Sequence, residues 1–224
     1  MKKRMKCGII SWKGMTIMSN YFEQFNKKHF HPNISKLEEY AKENHVPIIM
    51  KDSLMVILNI LSLIKPKKIL EIGTAIGYSS ICMSYFSKCK IDTIERDDDM
   101  YNISTANIKE FGLEDYITVH HNDALEIDAN ELSTYDIIFI DAAKAQNIKF
   151  FEKFSPLLNE GGLIITDNLM FHGAIDDLEN QSKNVRKMVE KIDKYNHYLS
   201  NHAEYESVFI NVGDGISITK KVTE

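Results

Sequence analysis

Cysteine is scarce in this chain: Cys7, Cys82 and Cys89 are the only three in 224 residues. The number is odd and no C-x-x-C pair occurs, which argues against a disulfide framework and a cysteine zinc site and fits a reduced cytoplasm. Cys82 stands among apolar neighbours and reads as a core filler, not a nucleophile. No apolar run approaches the roughly 20 residues of a membrane span. The basic start, M-K-K-R-M-K, leads into an apolar piece broken at Lys13, too short for a signal peptide. Residues 1–17 therefore read as a non-catalytic extension, with Met18 a natural beginning and 18–224 a single domain. Excess positive charge is missing too. The net charge of −5 offers polyanions no general attraction, so nucleic-acid binding would need a local basic patch. Linkers, repeats and low-complexity segments are absent.

What is present is organised around Lys68–Ser80, K-I-L-E-I-G-T-A-I-G-Y-S-S. Ile69, Leu70 and Ile72 read as a short strand buried on both faces, because a covered parallel strand loses its polar alternation. Gly73 and Gly77 follow, and Tyr78 and Ser79 open a helix. Glycine permits positive φ and lets a ligand lie against bare backbone. Glu71 is costly in an apolar strand unless it meets a donor or a cation, so it is expected to face a ligand at the strand's carboxyl edge. A dinucleotide fingerprint is G-x-G-x-x-G. Here the pattern is E-x-G-x-x-x-G, which can hold a nucleoside but lacks the pyrophosphate signature. It resembles the first motif of class I S-adenosylmethionine-dependent methyltransferases, and a dehydrogenase is demoted.

The rest of the chain alternates. Tyr21–His29 and Ile34–Asn44 read as helices, an appendage on the domain, followed by the apolar loop Val46–Met50. Asp52 or Ser53 can cap a helix that carries Leu54, Ile57, Leu58, Leu61 and Ile64 on one stripe and ends at Pro66. Strands are expected at Ile91–Glu95, Ile117–His121, Asp136–Asp141 and Leu163–Asp167. Helices are expected at Tyr78–Ser87, Asp98–Phe111, Ala145–Leu158 (ending at Gly161-Gly162) and Asn184–Leu199. The tail alternates Val208, Ile210 and Val212, then turns at Gly213-Asp214-Gly215 into Ile216–Lys220, a hairpin. The expected fold is α/β: a doubly wound, mostly parallel seven-stranded sheet, Rossmann-like, with the hairpin as an antiparallel edge.

Ligands of such sheets sit beyond the carboxyl ends of the strands. Glu95 ends the second strand, where an acid can accept hydrogen bonds from both ribose hydroxyls. Asp123-Ala124 follows the third, where the methyltransferase pattern meets the adenine edge. Asp141 tips the fourth strand and Asp167-Asn168 the fifth. Two carboxylates and an amide oxygen are hard ligands suited to Mg²⁺, not zinc.

E-I-G-T-A-I-G-Y-S, I-D-A-A-K and D-N-x-x-x-x-G together resemble the catechol and caffeoyl-CoA O-methyltransferase family, metal-dependent enzymes that use S-adenosylmethionine. The resemblance runs from about Val46 to Gly215. It implies that Asp141, Asp167 and Asn168 hold the divalent cation and that Lys144 is the general base. It places Met50, Ser79, Glu95, Asp123 and Ala124 at the cofactor, and it suggests a homodimer. Asn147 stands where plant members carry Tyr, and Ala143 where mammalian catechol enzymes carry Trp, so aromatic walls are not expected there.

A hydroxyl of pKa near 10 is a poor nucleophile at neutral pH. Chelation by a cation stabilises its anion, and a base beside the cation takes the proton. The substrate should then present two vicinal oxygens: a catechol, a caffeoyl ester or 5-hydroxyuridine. The Val46–Met50 run resembles the bacterial branch that includes tRNA 5-hydroxyuridine methyltransferases, which puts the tRNA anticodon first. Lys27, Lys28, Lys183, Arg186, Lys187 and Lys191 are the candidate phosphate contacts. A cofactor-binding protein without turnover is the other functional class, and the Asp141, Lys144, Asp167 and Asn168 set argues against it.

Overall fold

The computed structural model of the chain describes residues 30–142, 144–171, 173–176 and 178–222. The expected extension 1–17, the expected helix Tyr21–His29, Lys27, Lys28 and Ala143 lie outside the described residues.

The strands are β1 (Lys68–Ile72), β2 (Lys90–Glu95), β3 (Ile117–His121), β4 (Tyr135–Ile140), β5 (Leu158–Thr166), β6 (Tyr205–Ile210) and β7 (Ile216–Lys221). They form one seven-stranded sheet in the order β3-β2-β1-β4-β5-β7-β6. β1 to β5 pair in parallel, and β7 runs antiparallel to both its neighbours. Strand order reverses between β1 and β4, which opens a crevice at their carboxyl ends. The described helices are α1 (Ser35–Glu43), α2 (Lys51–Ile64), α3 (Tyr78–Ser87), α4 (Asp98–Glu110), α5 (Asn147–Phe154) and α6 (Lys183–Ser200).

Alternate strand residues feed two cores, as a period of two requires. Ile69, Ile91, Ile117, Phe139 and Ile165 face one layer with Leu37, Leu54, Ile57, Leu58 and Ile81. Leu70, Ile72, Ile94, Ile138, Ile140 and Ile164 face the other with Phe150, Phe151, Phe154 and Tyr195. Because Ile34, Leu37 and Ala41 are buried in the first core, α1 belongs to the domain and is not an appendage. Among the described residues no helix is long and apolar enough to cross a membrane.

Local expectations are corrected at two places, the end of α5 and the cap of α2. The helix expected over Ala145–Leu158 is shorter, Asn147–Phe154, because Pro156 lacks an N–H for the helical ladder and heads a 3₁₀ turn, Ser155–Leu157. Gly161-Gly162 therefore does not stop a helix but lies inside β5, where the register against β4 shifts between Tyr135 and Ile137. A Cβ on Gly162 would lie 2.8 Å from the carbonyl oxygen of Asp136, so only glycine fits that bulge. The hairpin supplies the antiparallel edge as expected: β7 pairs antiparallel with both β5 and β6, leaving β6 outermost with Val208 63% exposed. Neither Asp52 nor Ser53 caps α2, which starts at Lys51; the Ser53 hydroxyl donates to the Val212 carbonyl at 3.3 Å.

Candidate active site

Backbone pairing continues one residue past the strands and lines up their tips. Asn122 N donates to Glu95 O (2.9 Å), Gly73 N to Ile94 O (3.1 Å), Asp141 N to Ile72 O (3.0 Å) and Asp167 N to Ile140 O (3.1 Å). Gly73 has φ +99, and a Cβ there would run into the Asp141 carbonyl, so the glycine is required by the approach of β1 to β4. Gly77, φ +83, turns the chain into α3 and faces Ser104 and Ile81 instead of the cavity. Its expected ligand contact is replaced by a conformational role.

Over these tips lies a cavity of about 600 Å³, of the size that takes a small ligand. Met50, Gly73, Tyr78, Ser79, Glu95, Asp123, Ala124, Asp141, Lys144 and Asn168 all line it. Glu71 does not, which corrects its expected ligand contact. It is fully buried, and its carboxylate accepts from the hydroxyls of Ser79 (2.5 Å), Ser80 and Thr93 (2.7 Å). The donors that a strand carboxylate needs are thus internal hydroxyls. Thr93 gives its one proton to Glu71, so Thr74, 2.7 Å away and on the cavity wall, donates to Thr93. Burial pushes the Glu71 carboxyl up to about 7, against the three hydroxyl donors that lower it.

That shift carries a sign. A carboxyl raised on folding binds its proton more tightly when folded, so its contribution is complete below about pH 4.5 and is lost as pH rises through about 7. Glu71→Gln should flatten this dependence. Unfolding free energies from urea titrations between pH 5 and 8.5 should fall for the wild type relative to the variant, by on the order of 3 kcal/mol in all. Parallel curves would show that Glu71 does not titrate there.

Glu95 is fixed by three backbone donors: Ala75 N at 2.8 Å, and Arg96 N and Asp97 N at 2.9 Å each. A carboxylate offers about four acceptor positions, so roughly one remains for a ligand hydroxyl. Asp123 accepts from Leu125 N at 2.8 Å and pairs with Arg96 at 3.3 Å across the same wall.

At the other end, Lys144 Nζ donates to Asp141 Oδ1 at 2.9 Å. Asn168, held at φ +65, donates from Nδ2 to Asp141 Oδ1 and Asp167 Oδ2, 3.0 Å each. Asp167 is 1% exposed, behind the cavity wall, and its Oδ1 has no hydrogen-bond partner. Burial, with the Asp141 charge second, pushes its carboxyl up. A buried carboxylate with an orphaned oxygen beside a second carboxylate calls for a cation. Two carboxylates and an amide suit a hard one. Among the described residues no cluster of three or more His, Cys, Asp or Glu offers a softer site.

Sequence reasoning missed the apolar walls. Phe150, Phe171 and Met188 line the cavity near Lys144 and Gln146. Phe171 has φ +49, an uncommon conformation for a bulky side chain. Asn147 is 2% exposed and does not line the cavity. The aromatic surface comes from α5 and the segment after β5, which no short motif marks.

Residues 26–222 match a protein-family model described as O-methyltransferase. A caffeoyl-CoA O-methyltransferase of Stellaria longipes is 30% identical over 171 residues, 72% of this chain and 71% of its own. A flavonoid 3',5'-methyltransferase of Vitis vinifera is 24% identical over 209 residues, 86% of this chain and 88% of its own. A crystal structure from Staphylococcus aureus, described as a candidate caffeoyl-CoA O-methyltransferase, superposes with a TM-score of 0.83 at 38% identity, covering 92% of this chain and 98% of that one. An O-methyltransferase of Bacillus cereus, solved in complex with SAH, superposes at 0.77 and 23% identity over 91% and 96% of the two chains, a likeness of fold.

Proposed function

The chain belongs to the O-methyltransferase family, and from that premise we propose that it methylates a hydroxyl beside a second oxygen, with S-adenosylmethionine as donor and a divalent cation at Asp141, Asp167 and Asn168. The observation that carries the metal is the unpaired Oδ1 of buried Asp167 next to the Asp141–Lys144 pair. A hard cation such as Mg²⁺ would supply positive charge that lowers the pKa of the substrate hydroxyl. Lys144 Nζ, on the cavity wall, would take the proton as a neutral amine, after giving up one of its own to solvent. Glu95, Ser79 and the Gly73–Ala75 loop hold the donor at the opposite end, so the chain's main contribution is orientation.

The substrate we favour is a small molecule, a catechol or a caffeoyl ester. The caffeoyl-CoA and flavonoid enzymes among the relatives support that choice, as do the Phe150 and Phe171 walls. Methyl transfer to a catechol probe, abolished by chelator and restored by Mg²⁺, tests the reading; transfer unaffected by chelator would remove the metal from it. The free, buried thiols of Cys82 and Cys89 support a reducing compartment such as the cytoplasm. The exposed Val208 and Phe209 on β6 support the homodimer.

The second reading, 5-hydroxyuridine in a tRNA anticodon, draws on one feature: Lys183, Lys187 and Lys191 are exposed on α6, whose Met188 lines the cavity. Arg186 is not free for this purpose, because Nε and Nη2 donate to the carbonyls of Gln181 and Glu179 at 2.9 and 3.0 Å. Salt separates the two readings. Three phosphate contacts would make KM for tRNA rise with a log–log slope of about 2, whereas KM for a catechol should stay flat. We expect catechol turnover insensitive to salt and no incorporation into tRNA. Incorporation that weakens steeply with salt, and less so after replacing Lys183, Lys187 and Lys191, would promote the RNA substrate.

A further inference from the structure

We propose that Glu38, on α1, is a positioning residue for the methyl donor. It acts by fixing Tyr78, the first residue after the glycine loop, in the cavity wall. The inference rests on the placement of S-adenosylmethionine in that cavity. Glu38 itself does not line the cavity. Its Oε1 accepts from the Tyr78 hydroxyl at 2.8 Å and from Lys51 Nζ at 3.1 Å. Tyr78 is 2% exposed and faces the cavity, and Lys51 directly follows Met50, which faces it as well. One carboxylate therefore joins α1 to the first residues of both α2 and α3, the helices that begin at the cavity wall.

The bond matters to the loop because of where Tyr78 sits. Its backbone starts α3 immediately after Gly77, whose φ of +83 sets the direction of the chain. With the ring tip held by Glu38 and the main chain held in the first turn of α3, the loop end is fixed at both ends of one side chain. A phenol bonded to an ionised acceptor is held more strongly than one bonded to a neutral group. Lys51 Nζ pairs with the same oxygen at 3.1 Å. Without the carboxylate the hydroxyl is left in apolar surroundings unpaired, which favours movement of the ring towards water. The loop must then be ordered when the donor binds, and that ordering subtracts from affinity.

The carboxylate is not what docks α1. Ile34, Leu37 and Ala41 are buried and seat the helix against the core. Removing Glu38 should therefore leave the helix in place and release the tyrosine. The link is invisible to local pattern, since the two residues are 40 positions apart.

The test uses the full chain with Glu38→Gln, Glu38→Ala, Tyr78→Phe and the Glu38→Ala/Tyr78→Phe double variant. Calorimetry reads Kd for S-adenosylhomocysteine, melting reads the ligand-free fold, and initial rates separate KM for S-adenosylmethionine from kcat. Glu38→Ala and Tyr78→Phe should each weaken S-adenosylhomocysteine about tenfold. Glu38→Gln, which keeps an oxygen for the tyrosine, should weaken it about threefold or less. The double variant should be no weaker than the single ones, because both remove the same bond. For Glu38→Ala the loss should fall on KM for the donor far more than on kcat. Unchanged Kd with only a lower melting temperature would reduce Glu38 to a structural contact and overturn the proposal, as would additive losses in the double variant. Should Glu38→Ala fail to fold, Glu38→Gln and Tyr78→Phe decide the matter by the same Kd. A wild type that does not bind S-adenosylhomocysteine would overturn the location of the cofactor, and this inference with it.

Discussion

Replacing Asp141 or Asp167 by alanine is expected to abolish nearly all methyl transfer while the fold survives, and the two variants should differ in stability. Both carboxylates stand at strand tips whose backbone is already fixed, Asp141 N by Ile72 O and Asp167 N by Ile140 O, so neither side chain is needed to close the sheet. Loss of the cation's charge at the reacting oxygen removes several kcal/mol of stabilisation, a rate loss of about 10³-fold or more. The stability of the two variants diverges because the carboxylates have different surroundings. Asp167 is 1% exposed with one oxygen unpaired, so Asp167→Ala removes a costly buried carboxyl at the expense of one Asn168 hydrogen bond and should leave the metal-free protein close to wild type in stability. Asp141→Ala strips Lys144 of its 2.9 Å acceptor and Asn168 of one of two, and should melt lower. Added Mg²⁺ should raise the melting temperature of the wild type and of neither variant. Rates within tenfold of wild type in either variant, at saturating donor and metal, would sink the metal assignment.

Much of this site could be read from sequence for a physical reason. Parallel strands covered on both faces must be nearly all apolar, so Ile69–Ile72 and Ile137–Ile140 announce themselves, and the first polar residue after each marks a tip. Glu95, Asp141 and Asp167 end their strands, and the pairing of β4 with β5 puts Asp141 beside Asp167, with Glu95 on the far side of Gly73. What failed depends on contacts distant in sequence. Glu71 was placed at the ligand because its satisfying donors are spread over Ser79, Ser80 and Thr93, up to 22 residues away. Gly161-Gly162 read as a helix stop, but the close approach of Asp136 O that requires glycine belongs to a neighbouring strand. The hairpin is local and was legible, whereas which of its strands meets β5 is not marked by any local pattern: it is β7, the second one. Phe150 and Phe171 carry no motif, since any large apolar side chain at those places would build the same wall.

Lys144→Ala should slow methyl transfer by about 10²- to 10⁴-fold, the usual contribution of a positioned base. Two roles compete for this residue. As the base, Nζ accepts the proton of the substrate hydroxyl; as a structural cation, it holds Asp141 Oδ1 at 2.9 Å and keeps the carboxylate aimed. Two measurements separate them. If Lys144 is the base, the alanine variant should gain rate as pH rises towards the phenol's own pKa near 10, because ionisation in bulk then replaces the missing acceptor. Lys144→Arg should remain slow at neutral pH, since arginine can keep the ion pair with Asp141 but stays protonated and cannot take a proton. If the role is structural, the order inverts: Lys144→Arg should recover most of the activity, and the alanine variant should be slow and flat in pH. The profiles need a catechol probe at saturation, so that kcat and not binding is read, and a donor concentration well above its KM at every pH. A recovered arginine variant would give the base to another group and leave Lys144 as the residue that aims Asp141.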